Sequence, residues 1–178
     1  MCATDYAAIK LLVLDVDGVL TDGRIILTPD GQEIKAYDAQ DGAGMRYWKR
    51  TGRHLAIISG RGSQAVLRRA EDLGVDTVRL EAKDKLPFYQ DVLKELGLTP
   101  QQTAVMGDDL PDIPMMRACA FPVAVANAVE EVRQSAAYVT QRSGGSGAVR
   151  EVIELILKSA GAWDAIMARY LPQAERRG

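Results

Sequence analysis

The sequence has little cysteine, few aromatic residues and no long hydrophobic run. Its two cysteines, Cys2 and Cys119, are too few for a disulfide framework or a cysteine-based metal site. The most apolar stretch, near 153–156, is interrupted by Glu154 and Lys158, so no transmembrane segment is predicted. No basic region followed by an apolar stretch opens the chain, so no secretory signal is expected. These absences favour a cytoplasmic protein without a membrane partner.

The charge is nearly balanced, because 22 Lys and Arg residues against 24 Asp and Glu residues give a formal net charge of −2 at pH 7. Such a chain lacks the broad basic surface that grips phosphates, so nucleic acid is not an expected partner. Hydrophobic residues make up 47% of the chain and charged residues 26%, which excludes a disordered or collagen-like protein. The 178 residues fit one domain, with room for a terminal extension.

Short apolar runs alternate with stretches of helical periodicity. The runs 9–14, 55–58 and 103–106 are typical of strands buried on both faces of a parallel sheet. This alternation predicts an α/β fold, a Rossmann-like doubly wound parallel sheet with helices on both faces. Helices are predicted from near Ala43 to Gly52, from the N-cap Ser63 to Leu73, from Asp84 to Leu96, over 111–117 and over 148–158.

One segment breaks this alternation directly after the first strand. Residues 24–27 and 33–37, joined by Thr28-Pro29-Asp30-Gly31, predict a projecting β-hairpin. We expect it to cover the site or to contact a neighbouring subunit.

Polar residues follow the predicted strands in four clusters. Ligands of open α/β sheets bind beyond the carboxyl ends of the strands, so these clusters are expected along one edge. Five carboxylates at one edge would repel each other unless a cation lay among them, and oxygen ligands of this kind favour Mg²⁺. The clusters are Asp15 and Asp17 in 15–21, Ser59-Gly60-Arg61, Asp84-Lys85, and Asp108, Asp109 and Asp112 in 107–112.

The first cluster carries a pair of carboxylates suited to phosphoryl transfer. Asp15 and Asp17 are two positions apart, so both point to the same side if the chain stays extended. One can attack phosphorus to give an aspartyl-phosphate while the other exchanges the proton. The phosphoryl group also needs Mg²⁺, a lysine and hydroxyl or N–H donors, for which Ser59 and Lys85 are suitable types. Taken singly, each cluster could instead be a surface feature or a turn, and Asp109 could be only a helix cap.

Together, the four clusters resemble the motifs of the haloacid dehalogenase (HAD) superfamily phosphatases. The resemblance implies that Asp15 is the nucleophile and that Asp17 is the general acid and base, with its backbone carbonyl on Mg²⁺. It further implies that Ser59 binds the phosphoryl oxygens and that Lys85 steadies both phosphate and nucleophile.

The resemblance also implies a metal site and an open architecture. Asp15, Asp17 and Asp108 would be the Mg²⁺ ligands, supported by Asp109 and Asp112. The stretches between the motifs are too short for a cap domain, so a capless HAD-like enzyme is expected.

Residues 9–158 resemble, more narrowly, the capless 3-deoxy-D-manno-octulosonate 8-phosphate (KDO 8-phosphate) phosphatases. The hairpin, Asp41-Gly42-Ala43-Gly44 and the stretch 142–151 carry this resemblance. It implies a Mg²⁺-dependent enzyme of lipopolysaccharide precursor synthesis in a Gram-negative cytoplasm. It also implies a homotetramer in which hairpins and C-terminal tails pack against neighbouring sites. The expected organisation is a phosphatase domain over 1–158, with the hairpin at about 24–37, and a C-terminal helical tail over 159–178.

The residues around the second motif bear on the substrate, a phosphorylated sugar acid. Phosphatases of nine-carbon keto-deoxy sugar acids share this plan but tend to have Glu where this chain has Arg61, and Lys near Asp72, so the eight-carbon acid is favoured. We expect Arg61 and Arg46 to pair with the substrate carboxylate or phosphate, beside Asp17, Ser59, Gly60 and Lys85. Arg46 fits a solvated helix face equally well.

The match to the subgroup is looser in two places. Ser59 stands where Thr is common, and 80–85 lacks the Gln-Gly often found before the Lys.

Two other functions share parts of this pattern. An open site would also admit a large substrate, and a monomer would favour that alternative. A receiver-type signalling domain also phosphorylates an Asp beside Mg²⁺, but it expects that Asp at a middle strand end, where this chain has Ser59.

Overall fold

Eight strands are present in the computed structural model, which describes residues 4–171. Six of them form one sheet: β1 (Leu11–Leu14), β4 (His54–Ile58), β5 (Thr77–Arg79), β6 (Thr103–Gly107), β7 (Phe121–Ala124) and β8 (Tyr138–Val139). Their order across the sheet is β5-β4-β1-β6-β7-β8, and every pair of neighbours is parallel. The other two, β2 (Ile26–Leu27) and β3 (Glu33–Ile34), pair antiparallel as a separate hairpin.

Helices cover both faces of this sheet. They are α1 (Ala39–Arg50), α2 (Gln64–Leu73), α3 (Lys85–Leu96), α4 (Ile113–Ala118), α5 (Glu130–Ser135), α6 (Ala148–Ser159) and α7 (Trp163–Met167). Parallel strands are joined by right-handed crossovers, so α1 and α2 lie on one face and α3, α4 and α5 on the other. The last long helix, α6, returns to pack against α1. The predicted doubly wound parallel α/β fold is therefore confirmed.

The sheet forms the hydrophobic core. Every residue of β1 and β6 is buried, as expected for strands covered by helices on both faces. Trp48 of α1 and Tyr89 of α3 are fully buried on the two sides. The Trp48 indole donates to the carbonyl of His54 at 2.7 Å, and the Tyr89 hydroxyl lies 2.6 Å from the Thr103 hydroxyl. Both large aromatic residues thus enter the core with their polar atoms bonded.

The predicted element boundaries are right in places and displaced in others. α2 ends at Leu73, as predicted, and the Gly74 that follows adopts the left-handed conformation of a C-cap. α1 begins at Ala39 and not near Ala43, because the Asp38 carboxylate accepts hydrogen bonds from the Gln40 and Asp41 amides. β8 has only two residues, which explains why no apolar run signals it.

The order of the strands determines at which edge of the sheet a ligand can bind. From β1 the chain winds outward through β4 to β5, and it then crosses to β6 on the other side of β1. Such a reversal opens a crevice at the carboxyl ends of the two strands that flank it. Asp15 follows β1 and Asp108 follows β6, so both carboxylates enter this crevice.

The hairpin presents an apolar face to solvent. Ile26 lies opposite Ile34 in the antiparallel ladder, and each side chain is about half exposed. Leu27 beside them is 61% exposed. The hairpin thus leaves unpaired apolar surface within the part of the chain that the structure describes.

The short helix α7, the last helix among the described residues, packs on α1. The rings of Tyr47 and Trp163 make an edge contact with centroids 6.0 Å apart. The Arg-bearing end of the predicted tail, 172–178, lies outside the described residues. No helix within 4–171 is long and apolar enough to cross a lipid bilayer.

Candidate active site

Three sequence-distant residues form a buried charged cluster at the crevice. The Lys85 ammonium donates to Asp15 Oδ1 at 2.6 Å and to Asp112 Oδ1 at 2.7 Å. All three side chains are at most 8% exposed. Lys85 is the first residue of α3, and Asp112 ends the 3₁₀ turn Leu110–Asp112. The fold therefore holds the predicted nucleophile and the predicted lysine in direct contact.

Asp108 completes an acidic trio with Asp15 and Asp112. One carboxylate oxygen from each of the three lies within 4.8 Å of the others. Burial and the neighbouring Asp112 raise the pKa of Asp15 to about 6. Burial, Asp15 and Asp112 raise the pKa of Asp108 to about 8. Negative charge is therefore crowded beyond what the single ammonium of Lys85 offsets.

The trio fits a divalent cation. Three carboxylates against one ammonium leave a charge of about −2 at this point when all are ionised. Asp108 Oδ1 is buried and has no hydrogen-bond partner among the described residues. A buried, unbonded carboxylate oxygen is costly in a protein unless a cation or donor reaches it. Oxygen donors and this charge are what Mg²⁺ prefers.

Two glycines leave the space in which the carboxylates of the trio approach each other. Gly18 has a positive φ of 99°, and a Cβ there would lie 2.0 Å from Asp108 Oδ2. A Cβ at Gly107 would lie 2.4 Å from the Asp112 Cβ. Any larger residue at either position would displace a carboxylate of the trio.

The hairpin supplies a lysine that the sequence analysis missed. Lys35 directly follows β3 and donates a hydrogen bond from its ammonium to Asp17 Oδ1. The same ammonium lies 3.2 Å from Glu33 Oε1, which also accepts from Arg61 Nη2 at 2.9 Å. Arg61 Nε in turn lies 3.5 Å from Asp17 Oδ2. Two acids and two bases therefore form one continuous polar cluster beside Asp15.

The position of Lys35 runs against the local sequence pattern. In extended chain, alternate residues share a face, so Glu33 and Lys35 point to one side and Ile34 to the other. By itself this alternation predicts that the apolar Ile34 faces protein and that the charged pair faces solvent. The structure shows the reverse, with Ile34 about half exposed and the Lys35 side chain buried.

The remaining predicted site residues divide into two groups. Ser59, Gly60 and Arg61 line the same cavity as the trio, which has a volume of about 510 Å³. Asp109 lies at its rim and caps the 3₁₀ turn by accepting from the Leu110 amide at 2.8 Å. Arg46 lies elsewhere, on α1, where its Nη2 donates to both carboxylate oxygens of Asp72 at 2.9 and 3.1 Å. Both of these side chains are about half exposed.

The glycine-rich loop within 142–151 supports the catalytic loop from behind, a role that the sequence did not predict. The Asn127 amide donates to the Gly18 carbonyl at 3.1 Å, and its oxygen accepts from the Gly144 amide at 2.7 Å. The Gly145 amide donates to the Val19 carbonyl at 3.0 Å. The loop after β1 is thus fixed by contacts from residues more than a hundred positions away.

Residues before Lys85 adopt an unusual backbone conformation. Glu81 has a φ of 59°, the only positive φ of a non-glycine residue among the described residues. This is the segment that lacks the Gln-Gly of the resembled subgroup. The left-handed conformation costs a residue with a Cβ about 1–2 kcal/mol, so Glu81 is strained.

Comparison with known proteins relates this chain to a family of hydrolases and to named phosphatases. The profile of the haloacid dehalogenase-like hydrolase family matches residues 80–153. The 3-deoxy-D-manno-octulosonate 8-phosphate phosphatase KdsC of Escherichia coli is 42% identical over 156 residues, which are 88% of this chain and 83% of that protein.

Solved structures agree with this likeness. The phosphatase of the same description from Moraxella catarrhalis, crystallised with magnesium ion, phosphate ion and KDO, superposes with a TM-score of 0.91 at 43% identity, covering 93% of this chain and 95% of the other. The cobalt-bound Haemophilus influenzae enzyme superposes with a TM-score of 0.85 at 37% identity, covering 88% and 91%.

Proposed function

The chain belongs to the family of KDO 8-phosphate phosphatases within the haloacid dehalogenase-like hydrolases, and we propose that it hydrolyses KDO 8-phosphate to KDO and inorganic phosphate with Mg²⁺. The single observation that carries this proposal is the buried contact of Asp15 with Lys85 beside Asp108 and Asp112. That arrangement combines a nucleophile, a phosphate-neutralising cation and a magnesium site in one open cavity.

The first half of the reaction forms a covalent intermediate. A carboxylate oxygen of Asp15 attacks phosphorus, and the bond from phosphorus to the sugar oxygen breaks. Asp17 delivers a proton to that sugar oxygen, so the neutral alcohol leaves. In the second half, Asp17 takes a proton from the attacking water, whose oxygen bonds to phosphorus. The bond between phosphorus and Asp15 then breaks and releases inorganic phosphate.

Surrounding residues neutralise and orient the phosphoryl group. Lys85 reaches the nucleophile directly and supports negative charge on the transferred oxygens. The Ser59 hydroxyl and the backbone at Gly60 offer hydrogen bonds from the end of β4. Asp15, Asp108 and the Asp17 carbonyl would hold Mg²⁺, with Asp109 and Asp112 in support. Bound there, Mg²⁺ offsets charge on the phosphoryl oxygens.

Substrate recognition in this proposal rests on Arg61. It is half exposed at the cavity and carries a planar guanidinium that can pair with a carboxylate in bidentate fashion. A phosphorylated sugar acid presents such a carboxylate. We propose the same role for Arg46, whose guanidinium donates to Asp72 in this structure.

We also propose that the enzyme is a homotetramer in the cytoplasm. Its support is the exposure of four apolar side chains on the hairpin, Ile25, Ile26, Leu27 and Ile34, since exposed apolar patches mark interaction surfaces. Light scattering after gel filtration should give four times the chain mass of 19.4 kDa. A monomer at micromolar concentration would contradict the assembly and favour a phosphatase of large substrates.

The decisive test is phosphate release from KDO 8-phosphate by the wild type and by Asp15→Asn. We expect the wild type to require Mg²⁺ and the variant to lose at least about 10³-fold in kcat, because its amide cannot attack phosphorus. Asp91→Asn, on the exposed side of α3, is the matched control and should keep full activity.

Two results would contradict the proposal. If the wild type with Mg²⁺ is inert on KDO 8-phosphate but cleaves a nine-carbon analogue, the substrate is wrong. If Asp15→Asn remains active while folded, as judged by circular dichroism, the nucleophile is wrong.

A further inference from the structure

The geometry points to Lys35 as a positioning residue for the proton transfer, in that it holds one oxygen of Asp17 and leaves the other for the substrate. This inference rests on the proposed phosphatase function, and it concerns a residue outside the four motifs. It assigns the hairpin a role within its own active site.

The two oxygens of the Asp17 carboxylate have different environments. Oδ1 accepts the hydrogen bond from the Lys35 ammonium. Oδ2 is buried without any hydrogen-bond partner among the described residues, and Arg61 Nε lies 3.5 Å from it. A carboxylate anchored through one oxygen has little rotational freedom, so the other oxygen keeps a fixed direction. That free oxygen can hold the proton that the sugar oxygen receives.

Lys35 is built into the protein as an anchor and not as a mobile surface lysine. Its side chain is only 1% exposed, whereas surface lysines keep the ammonium in water. Burial of an ammonium is unfavourable unless acidic partners compensate it, and Asp17 and Glu33 both do so. Glu33 is itself held by Arg61. The ammonium therefore has one defined place, next to Asp17.

A role in proton transfer has a signature that a structural role lacks. An alkyl phosphate needs a proton on its leaving oxygen, whereas p-nitrophenyl phosphate leaves as a stabilised phenolate and needs little help. Loss of Lys35 should therefore slow the first class of substrate more than the second. Loss of active protein would slow both classes equally.

The experiment compares Lys35→Met and Lys35→Arg with the wild type on KDO 8-phosphate, β-glycerol phosphate and p-nitrophenyl phosphate. For Lys35→Met we expect kcat on KDO 8-phosphate to fall about 30-fold or more, with KM within threefold, and kcat on p-nitrophenyl phosphate to fall less than about fivefold. Lys35→Arg should recover most of the lost rate, because it restores a cationic donor. Lys94→Met, an exposed lysine of α3, should match the wild type on all three substrates.

Several outcomes overturn the inference. Equal losses on the alkyl and aryl phosphates would show a structural role, as would a loss accounted for by unfolded protein. An unchanged kcat in Lys35→Met would show no role at all. β-Glycerol phosphate keeps the test independent of the sugar: a wild type that cleaves it but not KDO 8-phosphate contradicts the proposed substrate, while the alkyl-to-aryl comparison still decides the role of Lys35.

Discussion

The substitution Gly144→Ala should impair catalysis by displacing the loop after β1, which carries Asp17 and Gly18. Gly144 is buried against the loop after β1, and a Cβ built there would lie 1.7 Å from the Gly18 carbonyl oxygen and 2.9 Å from the Thr21 carbonyl oxygen. Both are backbone atoms, so no side chain can rotate away. In Gly144→Ala, one of the two loops must move.

The size of this movement follows from the contact distance. Ordinary van der Waals contact begins at about 3.4 Å, so the Gly18 carbonyl and the new methyl must separate by roughly 1.7 Å. Gly18 also abuts Asp108, and Asp17 directly precedes it. A displacement of about 1 Å in a catalytic group can lower the rate about 10²-fold. Overpacking of this kind costs about 1–3 kcal/mol in stability.

Steady-state phosphate release and thermal unfolding measure the two effects separately. We expect Gly144→Ala to lower kcat about 30- to 300-fold, with a melting temperature lower by about 3–10 °C. Gly161→Ala is the control for general destabilisation, since its φ of 68° strains an alanine but nothing lies within 4 Å of its Cβ. It should lose about 1 kcal/mol of stability and keep its kcat.

Two results would refute this reasoning. If folded Gly144→Ala turns over within twofold of the wild type, the loops are not coupled. If Gly161→Ala loses kcat to the same degree, the loss in Gly144→Ala reflects general destabilisation.

Two further predictions concern stability. Burial raises the pKa of Asp41 to about 6, above the ordinary value of 3.8, although the Arg150 and Gly147 amides donate to it. The folded state therefore binds the Asp41 proton more tightly than the unfolded state. Ionisation of Asp41 does not affect the free energy of unfolding below pH 3.8, and it lowers that free energy by about 2–3 kcal/mol above pH 6. Asp41→Asn should gain stability relative to the wild type by that amount between pH 4 and pH 7 in urea unfolding, and a difference independent of pH would contradict this. Glu81→Gly should be about 0.5–1 kcal/mol more stable than Glu81→Ala, because only glycine relieves the positive φ; equal stabilities in urea unfolding would refute the strain.

Local sequence patterns were sufficient to predict the central sheet and the nearby residues of the cavity. β1, β4 and β6 are short runs of buried apolar residues, and such runs identify inner parallel strands without tertiary information. Once these strands are parallel neighbours, the residues at their carboxyl ends must meet at one edge. The contact of Asp15 with Lys85 therefore follows from strand order as much as from residue type.

The contacts of the hairpin with the site could not be predicted in this way. Alternation of Glu33, Ile34 and Lys35 predicts a solvent-facing lysine, whereas the structure buries it, because the direction in which a hairpin folds back depends on its packing. The same limit applies to Asn127, because its bonds to Gly18 and Gly144 join three segments that are far apart in sequence. Short elements such as β8 escape prediction because two residues carry no periodicity.

The hairpin contributes to both proposed properties, catalysis and assembly, because its second strand, β3, presents different side chains on its two sides. Successive side chains of β3 point in opposite directions, so Glu33 and Lys35 contact Asp17 and Arg61 while Ile34 faces outward with Ile26. A two-stranded ribbon this short is not stable by itself in water. Its polar face is fixed by ion pairs, and its apolar face has no cover within the described chain. Burial of that face in an assembly would restrict the same backbone that carries Lys35. In a tetramer assembled through the hairpin, the strand that forms the subunit contact would therefore also fix the orientation of the Asp17 carboxylate.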